Sequence, residues 1–318
     1  MKKLFFTLVA ITTLASCANE ETVMEAPHSA IEFGNVFVDN ATRADYSTGL
    51  NLERFLVYGT VTGTAGTVNI YDGDLVTGSI GNQVWNCTET NYWIPGASYN
   101  FAAVADQTAT IWSDEKDENG MPRLLHTLGD TNTNLKDMLY AEASVAGANV
   151  TETYDTPVNF TFQHLLSKAK FTVTSNAANG YSHTVTGITV ANYSFGTYTI
   201  ATETWAGNTA KNVPFAEISG VTATTGATSN AEVLLVPNAA QFNVTFTVDL
   251  YKGTTKLGTE TKTIPVDADL VKGNAYNFTI ECKMGNTIKF GVTEDISWDG
   301  DHDEDGDEDT DDDVTIVE

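Results

Sequence analysis

Cys17 carries the clearest chemistry in this chain. It closes the tetrapeptide Leu14-Ala15-Ser16-Cys17, behind Lys2, Lys3 and an apolar run over residues 4–14. A positive start, a short apolar middle and small residues at the cut are the layout of a secretory leader. The run is about half of the ~20 residues that a membrane-spanning helix needs, so it directs export and does not span. A thiol directly after Leu-Ala-Ser has the form of a lipobox: the sulfur is acylated, the leader is cut before it, and Cys17 becomes the lipidated N-terminus. Cys87 and Cys282 fall in different halves of the chain and make no disulfide framework. They are expected to be buried thiols acting as small apolar side chains.

The arginines are a second set of residues to weigh. Beyond Cys17 the chain holds three arginines, Arg43, Arg54 and Arg123. Arg54 directly precedes an apolar strand candidate and is expected to be shielded. Arg123 sits in the stretch Met121-Pro122-Arg123-Leu124. Arg43 lies between a first strand candidate and the folded body, flanked by Asn40-Ala41 and Ala44-Asp45.

The third candidate is acidic. Residues 299–313 hold eleven of the Asp and Glu residues, so of the net charge of −26 about −15 remains for the rest of the chain. Asp301-x-Asp303-x-Asp305-Gly306 matches the first half of an EF-hand calcium loop, with Asp309 and Asp312 at the ninth and twelfth positions. Such a loop normally ends in a bidentate glutamate, and no helical pattern flanks this one. Glu308 also occupies an apolar slot. The favoured reading is a self-repelling extended spacer, reaching ~50 Å at roughly 3.3 Å per residue. A calcium set of Asp301, Asp303, Asp305 and Asp312 is the alternative.

Enzyme motifs are missing. There is no Gly-x-Ser-x-Gly, no His-Glu-x-x-His, no phosphate-binding glycine loop and no dinucleotide fingerprint. His28, His126, His164, His183 and His302 are not spaced as a metal pair. His164, lone among apolar neighbours, reads as a structural histidine, and Trp298 as a packing anchor. No catalytic residue and no cofactor are expected, apart from covalent lipid on Cys17.

The elements that position these residues read as strands. The chain has 318 residues, enough for two domains, and is 42% hydrophobic and only 18% charged. Its richness in threonine and other β-branched residues favours strands over helices. The net charge of −26 argues against nucleic acid and against charge-driven binding to an anionic membrane. Residues 18–28 form a polar tether. Ile31-Glu32-Phe33 and Val36-Phe37-Val38 read as one strand or a bent pair. Strand candidates follow at 55–61, 66–71, 84–87, 92–94 and 98–105. Residues 114–122 read as a charged loop with an Asn119-Gly120 turn, and 137–141 as a compact apolar piece. The second half gives strands at 158–162, 169–174, 184–190, 197–200, 231–236, 242–251, 259–266, 275–282 and 286–292. From Phe242 to Leu250 the even positions are apolar and the odd ones polar, which predicts one buried and one wet face. Many short strands with frequent turn residues predict β-sandwiches. No amphipathic helix longer than two turns and no fixed-period repeat is present.

In order and spacing, the chain resembles the fimbrillins of Bacteroidota, subunits of type V pili that are exported as lipoproteins. The matching pieces are the lipobox 14–17, the tether with Glu20 and Glu21, the strand 31–38 and Thr42-Arg43-Ala44. Further along are Asp137-Met138-Leu139-Tyr140-Ala141, the run Phe160-Thr-Phe-Gln-His164-Leu-Leu-Ser-Lys168, Gly273-Asn-Ala-Tyr276-Asn-Phe278, and Trp298 with Asp299-Gly300.

The resemblance implies an all-β fold of two tandem β-sandwich domains, transthyretin-like with Greek-key connections. The divisions are 1–16 signal peptide, 17–43 tether and first strand, 44–155 and 156–298 sandwiches, and 299–318 acidic spacer with a last strand. An arginine-specific protease would cut after Arg43 and free the displaced strand, Ile31, Phe33, Val36 and Val38. A neighbouring subunit's strand would then replace it. Partners would be other copies or related fimbrial subunits, with host or bacterial surface ligands. Nucleic acid is not expected, and the membrane is met only through the lipid anchor at the outer membrane. Val314, Ile316 and Val317 are the candidate donor strand; alternatively the segment closes the subunit's own sheet. A function of a different class is a non-polymerising surface lipoprotein that binds glycans, with Trp85, Tyr92, Trp93 and Trp112 as platforms.

Overall fold

The computed structural model describes residues 28–38, 52–106, 112–116, 122–127, 137–207, 210–238, 240–285, 287–295 and 314–316. Its regular structure is strand throughout, apart from short 3-10 turns. This is the all-β architecture that the residue pattern predicts.

The first domain is one sheet closed on itself. Its strands are β1 (Phe33–Val38), β2 (Arg54–Gly63), β3 (Gly66–Ser79), β4 (Val84–Cys87) and β5 (Ser98–Asp106). After a side hairpin of β6 (Trp112–Lys116) and β7 (Pro122–Thr127), β8 (Met138–Val145) and β9 (Val158–His164) complete it. The order is β1-β4-β3-β2-β5-β8-β9, with β1 also pairing β9. Alternating residues of β9, Val158, Phe160 and Phe162, point into the core with Phe55, Val57, Tyr99 and Phe101. The boundary expected near residue 155 thus needs moving. β9 belongs to the first sheet, which runs to His164, because β9 supplies both the core residues and the partner edge that close it.

The second domain is a two-sheet sandwich. One sheet holds β10 (Ser167–Ser175), β16 (Thr228–Ser229), β17 (Val233–Leu235), β20 (Ala275–Lys283), β21 (Thr287–Asp295) and β22 (Val314–Ile316). The other holds β11 (Tyr181–Tyr193), β14 (Ala210–Pro214), β15 (Ile218–Val221), β18 (Phe242–Lys252) and β19 (Thr255–Val266). Phe171, Phe278 and Phe290 from the first sheet face Val185, Val244 and Phe246 from the second. In β18 the alternation predicted from sequence holds through Val248 and then breaks. Asp249 is buried, where its carboxylate accepts hydrogen bonds from Lys256 Nζ and Thr259 Oγ1, both at 2.8 Å.

A small third sheet joins the halves in the order β13-β12-β7-β6, with β12 (Phe195–Thr199) and β13 (Thr204–Gly207) from the second half. The charged loop expected over 114–122 is therefore partly strand: β6 takes residues 112–116 and β7 begins at Pro122. As an edge strand, β6 needs no apolar alternation to be held by its one neighbour. Between the domains, Tyr58, Val104, Met138, Leu165, Leu166 and Tyr198 form a separate apolar cluster. Trp205 Nε1 donates to the carbonyl of Leu165 at 2.7 Å across it.

Candidate functional site: the first strand and its groove

β1 and the segment leading into it supply four inward side chains, Ile31 just before the strand and Phe33, Val36 and Val38 within it, all buried. Phe33 is central. Its ring lies 5.7 Å from Tyr71, 5.9 Å from Phe160, 6.1 Å from Phe55 and 6.4 Å from Phe101, centroid to centroid. Burying four such side chains is worth about 6–12 kcal/mol at roughly 1.5–3 kcal/mol each. That is of the same order as the net stability of a whole domain. The first core is thus incomplete without this strand.

Backbone pairing holds both of its edges. On one side β1 runs parallel to β9, with Phe33 opposite Val158 and Val38 opposite Phe162, and Val158 N donates to Glu32 O at 2.8 Å. On the other, Ile31 N donates to Asn91 O, Trp93 N to Ser29 O, and Phe33 stands opposite Trp85. A parallel neighbour cannot be reached by a tight turn. β1 ends at Val38 and β2 begins at Arg54, yet the two are not neighbours in the sheet, so β1 is not a hairpin partner of the next strand in sequence.

Arg43 and Ala44 fall between those two points and lie outside the described residues, as do Cys17, Trp298, Val317 and the calcium candidates Asp301, Asp303, Asp305 and Asp312. Among the described residues no group of His, Cys, Asp and Glu is placed to hold a metal ion, and no helix is long and apolar enough to cross a membrane. Val314 and Ile316 lie in β22, which pairs antiparallel with β21 of the same subunit, Ile316 opposite Phe290 and Val314 opposite Val292. Cys87 and Cys282 are free thiols on β4 and β20; Cys282 is buried as expected, while Cys87 is only half-buried. Burial raises both, Cys282 to about 12.

Of the four aromatic platform candidates, Trp85 and Trp93 are core residues, at 6% and 1% exposure. Trp93 packs edge-on against Tyr99 and Tyr154. Tyr92 is exposed, and the side chain of Trp112 lies outside the described residues. Two of the four are thus unavailable to a sugar.

The structure joins two segments that the sequence placed apart. Asp137 and His164 form a buried pair, Oδ2 to Nδ1 at 2.5 Å. His164 is the structural histidine expected, but its carboxylate partner was not legible in sequence. Nearby, the Tyr276 hydroxyl donates to Asp269 O and accepts from Val271 N, bracing the turn that opens β20. Gln83 and Asn159 were also missed. Both are side-chain amides hydrogen-bonded to the backbone of β1, and nothing in their sequence surroundings marks them.

Comparison with known proteins agrees with this picture. A family model described as fimbrillin-like matches residues 42–294. Among solved structures, a fimbrial protein from Bacteroides vulgatus is 15% identical with a TM-score of 0.57, covering 84% of this chain and 98% of that one. Candidate cell adhesion proteins from Bacteroides uniformis and Bacteroides ovatus are 19% and 18% identical, each with a TM-score of 0.51 and covering 85% of this chain and 97% of theirs. At these identities the likeness speaks for the fold. No curated protein matches the chain.

Proposed function

We propose that this chain, which belongs to the fimbrillin-like family, is a structural subunit of a cell-surface fimbria and polymerises by exchange of its first strand. It is exported as a lipoprotein through Cys17 and held at the outer membrane while it folds with β1 in place. An arginine-specific protease cuts after Arg43, which lies between β1 and β2. That frees lipid, tether and first strand together, and a strand of another subunit takes the vacated place. Backbone hydrogen bonds give such an inserted strand its affinity, and alternate side chains give it register.

The observation that carries this reading is the placement of β1. A strand N-terminal to the cleavable arginine fills the centre of the first core, through Phe33, and among the described residues its strand partners, β4 and β9, both lie C-terminal to that arginine. A permanent strand could sit anywhere in the order of the sheet. One that must leave is best joined to the rest by a single covalent connection. The glycan-binding alternative loses support from the burial of Trp85 and Trp93.

An Arg43→Ala variant tests the proposal. The variant is expected to fold, to reach the surface as the lipidated precursor and to form no polymer. Normal polymers from that variant would contradict it.

A further inference from the structure

β1 is not a regular strand. Its ladder with β9 pairs Phe33 with Val158 but Val36 with Phe160, so three steps along β1 match two along β9. One extra residue is accommodated at Gly34-Asn35, a bulge that leaves part of the local backbone outside the ladder. Two side-chain amides deal with what the bulge leaves. Asn35 N donates to Asn159 Oδ1 at 2.8 Å. On the opposite edge, Val36 N donates to Gln83 Oε1 at 2.8 Å, and Gln83 Nε2 donates to Val36 O at 3.3 Å and to Ile80 O at 2.7 Å. A primary amide offers a donor and an acceptor, as a peptide unit does. Gln83 therefore continues the β4 edge with its side chain, from a turn residue held at φ 51°.

The bulge also sets a size limit. A Cβ on Gly34 would lie 2.6 Å from Asn159 Oδ1 and 2.9 Å from Pro157 Cβ. Relieving the first contact would move the amide that accepts from Asn35.

We infer that the groove under β1 is selective for a bulged strand, and that Gln83 and Asn159 are its specificity-determining residues. The inference rests on the strand-exchange reading and names the partner that reading requires. The incoming strand runs parallel to β9, carries apolar side chains at the slots of Phe33, Val36 and Val38, and has glycine at the slot of Gly34. β22 does not fit this description. Its sequence Val314-Thr315-Ile316 contains no glycine, and it is paired with β21 of its own subunit. The occupant is therefore a strand of another subunit other than its β22, of the pattern apolar-Gly-x-apolar-x-apolar that β1 itself carries.

The test uses the full chain cut after Arg43 by an arginine-specific protease, with β1 left bound. A fluorescent peptide of residues 28–38 is exchanged into it in competition with unlabelled peptides. The unmodified 28–38 peptide is expected to compete one for one. Its Gly34→Val version should compete about 100-fold more weakly, from overpacking and loss of the Asn159 contact. A peptide of residues 310–318 should not compete. A Gln83→Ala chain should bind the 28–38 peptide about 10-fold more weakly. The peptide arms leave the protein untouched, so a folding defect cannot produce the expected ranking. Entry of the Gly34→Val or the 310–318 peptide as readily as the native one overturns the selectivity and leaves exchange standing. Failure of every peptide, the native one included, overturns strand exchange itself and the inference with it.

Discussion

Phe33 and Phe160 stack with ring centroids 5.9 Å apart and planes at 19°. One lies before Arg43 and the other after it, so a central contact of the first core spans the proposed cleavage point. The energetic weight of β1 is thus attached to the body through segment 39–51 and through non-covalent pairing alone.

Truncation at this contact should be costly. Phe33→Ala in the uncut chain is expected to lose about 3–5 kcal/mol, as for a buried phenylalanine elsewhere. Phe33→Asp or Val36→Asp should leave a poorly folded precursor. Urea denaturation of the uncut chain gives the number; a loss below about 1 kcal/mol for Phe33→Ala would show that β1 is not part of the core.

Trp85 stands opposite Phe33 in the sheet and is buried, with its ring 5.2 Å from that of Phe55, which Phe33 also packs on. Departure of β1 should expose the indole and shift the tryptophan emission to the red. Refilling the groove should reverse the shift. Emission spectra of the cut chain before and after removal of β1, repeated in a Trp85→Phe chain where the change should largely vanish, check this. An unchanged spectrum after β1 has been removed would place Trp85 elsewhere.

The Asp137–His164 pair should act as a unit. Removing His164 leaves the Asp137 carboxylate buried without the imidazole, and breaking one side of a buried pair costs about 3–5 kcal/mol. The double replacement Asp137→Ala with His164→Ala should cost less than the sum of the single ones. Denaturation midpoints of the three variants decide it, and strict additivity would mean that the 2.5 Å contact carries no coupling.

Alkaline pH should loosen the first domain. Burial pushes the Tyr71 phenol from 10.0 up to about 12. In the unfolded chain it ionises near its ordinary value, while in the folded chain it stays neutral. Its contribution is therefore fully present below pH 10 and is lost as pH rises through 12, by about 3 kcal/mol. Tyr71→Phe should flatten the fall in stability over that window, measured by denaturation at stepped pH. Cys282, also raised to about 12, adds the same loss to both proteins and does not affect the comparison.

The parts of this fold set by local pattern were legible in sequence. Phe242 to Val248 alternates because one face of β18 is wet, and Phe33, Val36 and Val38 stand out as apolar points of a bent strand for the same reason. Long-range choices were not legible. Nothing in residues 158–164 says that they pair with β1 and close the first sheet, since a buried strand reads alike in either domain. The pairing of Asp137 with His164 depends on how β8 meets β9, and local sequence does not specify it. Gln83 and Asn159 act through side-chain amides on backbone, a role that any surface amide could have. At the site, the displaced strand was readable as a strand, while the bulge that gives its groove a shape was visible only as Gly34-Asn35 between two apolar runs.

The most direct measurement is the intact mass of the protein taken from assembled surface polymer. The account predicts a chain that begins at Ala44, without lipid and without residues 17–43. A polymer built from chains that begin at lipidated Cys17, with β1 still attached, would contradict it.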